Sequence, residues 1–152
     1  MNRYQIYIMA AVLTAAVMAI ILIIVFLNRK RKTRPLFIDD MDGDEFEEFC
    51  AQILEAGGFS DVSVTKASRD YGADILAEKD GVTYAIQCKC YADPVGVKAI
   101  QEAYAARDFY DRMVGAVMTN RYFTQPAVEA AKKLKILLWD RGYIEEMLEE
   151  DI

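Results

Sequence analysis

The sequence predicts an α/β domain that follows one membrane-spanning helix. Three observations support this prediction: a run of 22 uncharged residues at 6–27, an amphipathic helical pattern after residue 42, and β-rich segments that then alternate with helical ones. Strands flanked by helices, with a helix joining two of them, form layered α/β structures. We therefore expect an anchor at 1–28, a basic juxtamembrane linker at 29–38 and one domain at 39–152.

The uncharged run is long enough to cross a bilayer. As a helix that rises about 1.5 Å per residue, it measures roughly 33 Å, against about 30 Å for the hydrocarbon core. A cleavable signal peptide has a shorter apolar region. The buried central helix of a globular protein, the other alternative, is usually shorter and apolar on one side only. We therefore interpret the run as a retained single-pass anchor.

A basic cluster directly after the run sets its orientation. Its members are Arg29, Lys30, Arg31, Lys32 and Arg34. Only Arg3 and the α-amino group precede the run, and positive flanks stay on the cytoplasmic side. We expect localisation in the cell (inner) membrane, with the C-terminal domain in the cytoplasm and the basic flank against anionic lipids.

The composition of the domain restricts its chemistry. All 24 acidic residues but only 12 of the 18 basic ones lie from Leu36 onward, so this part carries a net charge of −12, which argues against a broad nucleic-acid surface. The chain has no histidine, which excludes Ser-His-Asp and Cys-His catalysis and histidine-based zinc sites. The groups that remain for catalysis are carboxylates, lysine, amides and a hard cation. The three cysteines in a reducing compartment are expected to be free thiols.

The first helix of the domain is predicted at Gly43–Ala56. Asp42 followed by Glu45 forms a capping-box pattern, and Gly57-Gly58 ends the helix. Its apolar residues recur at helical spacing and form one buried stripe: Phe46, Phe49, Cys50, Ile53 and Leu54. Glu47 lies at the edge of this stripe, where a carboxylate is unusual unless it has a partner.

Three β-rich segments come next, at 61–66, 73–78 and 83–91, with an Asp80-Gly81 hairpin signal between the last two. In the third segment a period of two separates an apolar face from a polar one. The apolar face consists of Tyr84, Ile86, Cys88 and Cys90. The polar face consists of Ala85, Gln87, Lys89 and Tyr91. We expect the apolar face to be buried, with the polar face on the opposite side of the strand.

The remaining elements alternate. A helix is predicted at 97–110, with an inward face made of Val97, Ile100, Ala103 and Tyr104. A compact apolar strand at 113–119 precedes a helix that Thr124 and Pro126 open and that runs to Leu134. A last strand is predicted at 135–139, with Trp139 in the core.

Three polar side chains on neighbouring strands are expected to converge. Asp74 lies across the predicted hairpin from Gln87 and Lys89, and antiparallel strands are about 4.8 Å apart. A carboxylate and carbonyl-type oxygens hold Mg²⁺, which prefers oxygen ligands. A nearby lysine can orient or deprotonate the attacking water, or neutralise charge in the transition state. This combination suits metal-assisted hydrolysis of a phosphodiester.

These residues carry a family resemblance. The segments are Gly43-Asp44-Glu45-Phe46-Glu47, Gly72-Ala73-Asp74-Ile75-Leu76, Gln87-Cys88-Lys89, Pro94-Val95-Gly96 and Val117-Met118-Thr119-Asn120 followed by Phe123-Thr124. In this order they resemble the Asp…Gln-x-Lys pattern of the Mrr-like branch of the PD-(D/E)xK nucleases. The resemblance implies a restriction-endonuclease-like αβββαβ core and Mg²⁺-dependent cleavage of DNA, with Mn²⁺ as a possible substitute and a homodimer as a possible assembly.

The resemblance also implies roles for individual residues. Asp74 would be the principal metal ligand, Gln87 would replace the second acid of the wider superfamily, and Lys89 would be the catalytic lysine. Glu47 would match the helix glutamate of the family and complete the site. The predicted metal ligands are thus Asp74, Gln87, Glu47 and the backbone carbonyl of Cys88.

Several alternatives remain open. The net charge and the anchor also fit a catalytically weak or inactive membrane-tethered binding or assembly module with the same fold. Cys88 and Cys90 suggest a metal or redox site but alternate with core residues. Asp70 is either an accessory acid or a turn residue. Lys89 by itself also fits a surface position on an edge strand.

Overall fold

The computed structural model describes residues 37–65 and 71–150, together with Tyr4, Thr14, Val17 and Met18. The predicted anchor and linker therefore lie almost entirely outside the described residues. Thr14, Val17 and Met18 are helical and exposed. Within the described part of the chain, no helix has both the length and the apolar character needed to cross a membrane. The chain divides into two units, Met1–Leu36 and Phe37–Ile152.

The second unit contains one mixed sheet and four α-helices after a short 3-10 helix. In chain order these are the 3-10 helix Phe37–Asp39, α1 Gly43–Ala56, β1 Ser60–Val64, β2 Ile75–Lys79, β3 Val82–Lys89, α2 Val97–Phe109, β4 Val114–Thr119, α3 Gln125–Leu134, β5 Ile136–Trp139 and α4 Arg141–Glu150. The five strands lie side by side in numerical order. β1 to β3 are antiparallel, and β3 to β5 are parallel. This confirms the predicted α/β class and αβββαβ order.

Helix α1 begins and ends where the sequence predicts. The Asp42 carboxylate accepts a 2.9 Å hydrogen bond from the Glu45 N–H, and the Glu45 carboxylate accepts one of 3.1 Å from the Asp42 N–H. These reciprocal bonds satisfy two N–H groups that the helix start leaves unpaired. Phe46, Cys50 and Leu54 are fully buried, so the predicted apolar stripe is confirmed.

The β2–β3 hairpin is also confirmed. Lys79 pairs with Val82, and the two residues between them have positive φ angles, 53° at Asp80 and 77° at Gly81. A two-residue turn with both φ angles positive matches the twist of antiparallel strands. The hairpin therefore fixes which residue of β2 faces which residue of β3.

Helix α2 lies close to the sheet because small side chains line their contact. Ala99, Ala103 and Ala106 are buried. A Cβ added at Gly115 of β4 would stand 3.0 Å from the backbone oxygen of Ala103. Tyr104, predicted to face inward, is instead 38% exposed, whereas Ile100 and Ala103 of the same predicted face are fully buried.

The sheet is covered on both faces. α2 and α3 pack on the face that includes Gln87 and Val117, whereas α1 packs on the face that includes Cys88. The face of β3 that the sequence predicts as polar is therefore covered as well, since Ala85 and Gln87 are buried. Central strands with parallel neighbours are usually covered on both sides by helices.

A buried ionic network ties the start of the domain to its end. Asp39 in the 3-10 helix accepts two 2.9 Å hydrogen bonds from Arg141, whose side chain is 5% exposed. Arg121 contacts the same carboxylate at 3.0 Å, and Asn120 donates to it at 3.3 Å. A single carboxylate thus joins the segments that follow β4 and β5.

Helix α4 was not predicted from the sequence. Its packing is nevertheless specific: Ile144 is fully buried, and the ring of Tyr143 stacks on Trp139 with centroids 5.4 Å apart. Trp139 is 6% exposed, which confirms its predicted core position.

Replacing Asp39 by alanine is expected to lower the free energy of unfolding by about 3 kcal/mol, because the buried guanidinium of Arg141 loses its main partner. The measurement is urea unfolding followed by fluorescence of Trp139, the one tryptophan of the chain. Asp40→Ala, at an exposed neighbouring position, serves as the control, with an expected change of about 0.5 kcal/mol or less. Equal effects of the two changes would contradict the assigned role of Asp39.

Candidate active site at the β2–β3 edge

Asp74 and Gln87 meet across the start of the hairpin. Ile75 pairs with Ile86, and the N–H of Asp74 donates to the carbonyl of Ile86 at 2.8 Å, which places Asp74 opposite Gln87. The Gln87 amide donates to Asp74 Oδ2. The N–H of Cys88 donates to the same oxygen at 2.7 Å. Asp74 and Gln87 are both about 95% buried, with 5% and 4% of their surface exposed.

The backbone carbonyl of Cys88 belongs to the same cluster. It lies 3.3 Å from the Gln87 amide nitrogen, which therefore bridges the carbonyl oxygen and the Asp74 carboxylate. The structure thus brings together three of the four groups that the sequence predicts as metal ligands.

The segment before Asp74 is held from two sides. The Thr65 hydroxyl and N–H donate to the carbonyls of Ala73 and Asp74, each at 2.8 Å. On the other side, Gly72 has a φ angle of 87°, and a Cβ there would lie 2.8 Å from the backbone oxygen of Glu102. Only glycine fits this position without displacement. These contacts fix Asp74 relative to helix α2.

Lys89 forms an ion pair with Glu102 of α2. Its Nζ lies 3.0 Å from Glu102 Oε2, and its side chain is 18% exposed. Burial by itself lowers the pKa of Lys89, but the hydrogen bond and charge of Glu102 outweigh it, with smaller contributions from Tyr91 and Asp74, so the pKa is raised. Lys89 is therefore a cation at neutral pH.

Glu102 was not among the residues predicted from the sequence. It lies on the side of α2 that faces the Gly72 loop, and Lys98 also approaches it, at 3.6 Å. The i, i+4 spacing of Lys98 and Glu102 was visible in the sequence but is common on solvated helix faces. Only the knowledge that α2 covers the polar face of β3 identifies Glu102 as the partner of Lys89.

Glu47 belongs to α1, which packs on the opposite face of the sheet. The Cys50 thiol of that helix lies beside the Cys88 thiol of β3. Interaction with the Cys50 thiol, burial, and then the charges of Cys50, Asp74 and Glu47 raise the pKa of the Cys88 thiol. Glu47 is half-buried, and its charge is one of the contributions to this shift.

The cysteines are free thiols, as predicted. Cys50 and Cys88 are buried, and Cys90 donates to the carbonyl of Met41 at 3.3 Å. Asp70, the candidate accessory acid, lies outside the described residues.

The donor set suits an oxygen-preferring cation. Among the described residues, no three His, Cys, Asp or Glu side chains form a group that could hold a metal. The cluster here instead combines the Asp74 carboxylate, the Gln87 amide and a backbone carbonyl, which are groups whose oxygens bind Mg²⁺. The amide nitrogen of Gln87 faces Asp74, so ligation by Gln87 would require its oxygen to take that position.

Comparison with known proteins gives a consistent result. Residues 38–148 match the family model of the Mrr catalytic domain, described as a restriction endonuclease. A solved structure of the protein of unknown function AF1548 is 27% identical, with a TM-score of 0.59 over 68% of this chain and 64% of that one. No curated protein matches the chain.

A second structure, the DNA modification-dependent restriction endonuclease AspBHI, shares the fold. It is 20% identical, with a TM-score of 0.52 over 69% of this chain but 30% of AspBHI. The match thus spans less than two thirds of each of these two solved chains.

Gly72→Ala is expected to destabilise the protein more than Gly58→Ala does. Both glycines have positive φ angles, 87° and 83°, but an added Cβ meets the Glu102 backbone at Gly72 and nothing within 4 Å at Gly58. The conformational cost, about 1–2 kcal/mol, is common to both. Urea unfolding measures each variant, and the excess at Gly72 reports the close approach of the loop to α2. An equal loss in both variants would show that this contact is not tight.

Glu102→Gln is expected to lower the pKa of Lys89, because burial then acts without the opposing carboxylate. In the wild type, the pKa of Lys89 is raised above its ordinary value of 10.5. The ion pair therefore stabilises the folded protein fully below about pH 10.5, and this stabilisation is lost as the pH rises through the raised pKa. NMR titration of the labelled lysine Cε carbons measures the shift. Glu129→Gln, at an exposed position of α3, is the control and should leave the pKa of Lys89 unchanged.

Proposed function

The chain belongs to the restriction endonuclease family whose catalytic-domain model it matches, and from this premise we propose that it is a divalent-metal-dependent endodeoxyribonuclease anchored in the cell membrane. Family membership indicates a nuclease that acts on DNA. The specific proposal assigns Asp74, Gln87, Lys89 and Glu47 to the catalytic site, with Mg²⁺ as the metal.

One observation carries the proposal. A buried carboxylate, an amide and a backbone carbonyl converge at the β2–β3 edge, and a lysine that the surrounding groups keep protonated lies two residues along the same strand. A structural role for Asp74 alone would not require a charged lysine beside it. Together these groups match the needs of phosphodiester hydrolysis: oxygen ligands for a cation, and a positive charge for the phosphate.

The residues of the site have distinct roles. Asp74, Gln87, the Cys88 carbonyl and Glu47 would hold Mg²⁺, which when bound supplies positive charge that polarises the phosphodiester and activates water. The Cys88 N–H fixes the orientation of the Asp74 carboxylate. Lys89 places a full positive charge where negative charge develops on the phosphate oxygens. The ion pair with Glu102 raises the pKa of Lys89, which favours a role as an electrostatic group or proton donor at neutral pH.

The location of the enzyme is part of the proposal. The uncharged run at 6–27 and the basic residues directly after it support a single-pass anchor with the catalytic domain in the cytoplasm. A homodimer would allow two sites to cut both strands of a duplex.

A second candidate function is a membrane-tethered binding or assembly module that retains the fold with little or no catalysis. The net charge of −12 from Leu36 onward favours it, because phosphate binding normally relies on positive surface. The two candidates make opposite predictions for the cleavage assay.

Asp74→Ala and Lys89→Ala are each expected to reduce cleavage of plasmid DNA by Mg²⁺-supplied or Mn²⁺-supplied protein at least about 100-fold, because they remove the metal ligand and the transition-state charge. Nicking and linearisation on agarose gels measure the rate on modified and unmodified plasmid, and a chelator should abolish it. Lys133→Ala, on the exposed side of α3, is the control and should cleave like the wild type. Wild type and variants that are equally inert on both plasmids would refute the nuclease and favour the binding module.

A further inference from the structure

Two aromatic rings stack on each other at the surface near the proposed site. The ring centroids of Tyr71 and Phe109 lie 3.9 Å apart with an interplanar angle of 20°, and each side chain is 54% exposed. The T-shaped contact of Tyr110 with Phe109, at 5.0 Å, supports the pair from one side. Exposed rings in a preformed stack offer flat apolar faces to a ligand.

The backbone at this pair is constrained. Tyr71 has a φ angle of 43°, in the left-handed region that is unfavourable for a residue with a Cβ. Its neighbour Gly72 is the residue that packs against the Glu102 backbone. Unfavourable conformations that the surrounding structure enforces are concentrated at functional sites. Because Tyr71 directly precedes Gly72, the contact of Gly72 with the Glu102 backbone positions the ring of Tyr71 as well as Asp74.

Helix geometry gives the distance from this pair to the proposed site. Glu102, Ala106 and Phe109 follow one another at i, i+4 and i+7, so they lie along one side of α2. Seven residues correspond to about 10.5 Å along the helix axis. Stacked nucleotides advance about 3.4 Å each along a strand. Along the helix axis, Phe109 is thus separated from Glu102 by about the length of three stacked nucleotides.

The charges around the rings argue for stacking rather than for phosphate binding. Asp108 and Asp111 are exposed on either side of Phe109. One nearby cation, Arg107, is paired with Asp108 at 2.8 Å and lies over the ring of Tyr104 at 4.7 Å. A base stacks on a ring through its uncharged face, so the contact with the rings does not itself require a cation.

We propose that the Tyr71–Phe109 pair is a stacking platform for unpaired bases of the substrate strand, about three nucleotides from the phosphate that is cut. The proposal rests on the proposed function for the position of that phosphate. In a duplex each base is already stacked on its neighbours, so the substrate class is DNA with a single-stranded stretch beside the cleavage site.

The test measures binding of the full chain, purified in a mild detergent, to fluorescein-labelled duplexes without divalent cations. The duplexes carry single-stranded extensions of zero, one, three or six nucleotides at either end. We expect affinity to rise about tenfold when the extension reaches three nucleotides. Phe109→Leu and Tyr71→Leu should remove this rise, because they keep an apolar side chain but lack a ring, whereas Phe109→Tyr should keep it.

Two further measurements separate stacking from other effects. The loss in Phe109→Leu should be the same at 50 and 200 mM salt, because no phosphate contact is removed. Phe37→Leu is the matched control: Phe37 is 59% exposed and also pairs with another ring, that of Phe49 at 5.3 Å, so it should bind like the wild type. Fluorescence of Trp139 checks that each variant is folded.

The outcomes distinguish this inference from the proposed function. If folded Phe109→Leu binds every extension as tightly as the wild type does, the stacking platform is refuted, whether or not the protein cleaves DNA. If the length-dependent binding is present and Phe109→Leu removes it while the wild type cleaves nothing, the nuclease proposal fails and the platform stands.

Discussion

The close approach of helix α2 to the sheet is the constraint on which the site depends. Alanines on the helix and glycines on the strand side remove the bulk that would keep them apart, so backbone meets backbone at Gly72 and Gly115. Gln87 is buried as a result, and Glu102 reaches Lys89. A larger residue at Gly72 would push α2, and with it the Glu102 carboxylate, away from the sheet.

The parts of the fold that sequence predicts well are those governed by local rules. The bounds of α1 follow from its capping box, and the turn at Asp80-Gly81 sets the β2–β3 register. That register, with a side-chain period of two, is enough to place Asp74 opposite Gln87. The catalytic roles of these residues remain proposals, whereas their proximity is a property of the structure.

The errors and omissions share a different cause, because each depends on segments distant in sequence. The face of β3 that carries Gln87 looks polar in isolation and is buried only because α2 covers it. Tyr104 has the spacing of an inward residue, but the alanines fit the sheet more closely. Glu102 matters because it pairs with Lys89. Asp39 matters because it pairs with Arg141, which is 102 residues away in the sequence. No local pattern encodes such pairings.

The network around Asp39 also has a mechanical consequence. Asp39 lies at the point where the domain begins, and its carboxylate holds Arg141 and Arg121 from the far end of the fold. A pulling force on the chain at this point would act first on these ionic contacts, which are short and share one carboxylate. β2 and β3, which position Asp74 and Lys89, follow these contacts along the chain. A domain built in this way would keep the geometry of its site under a pulling force until these ionic contacts broke.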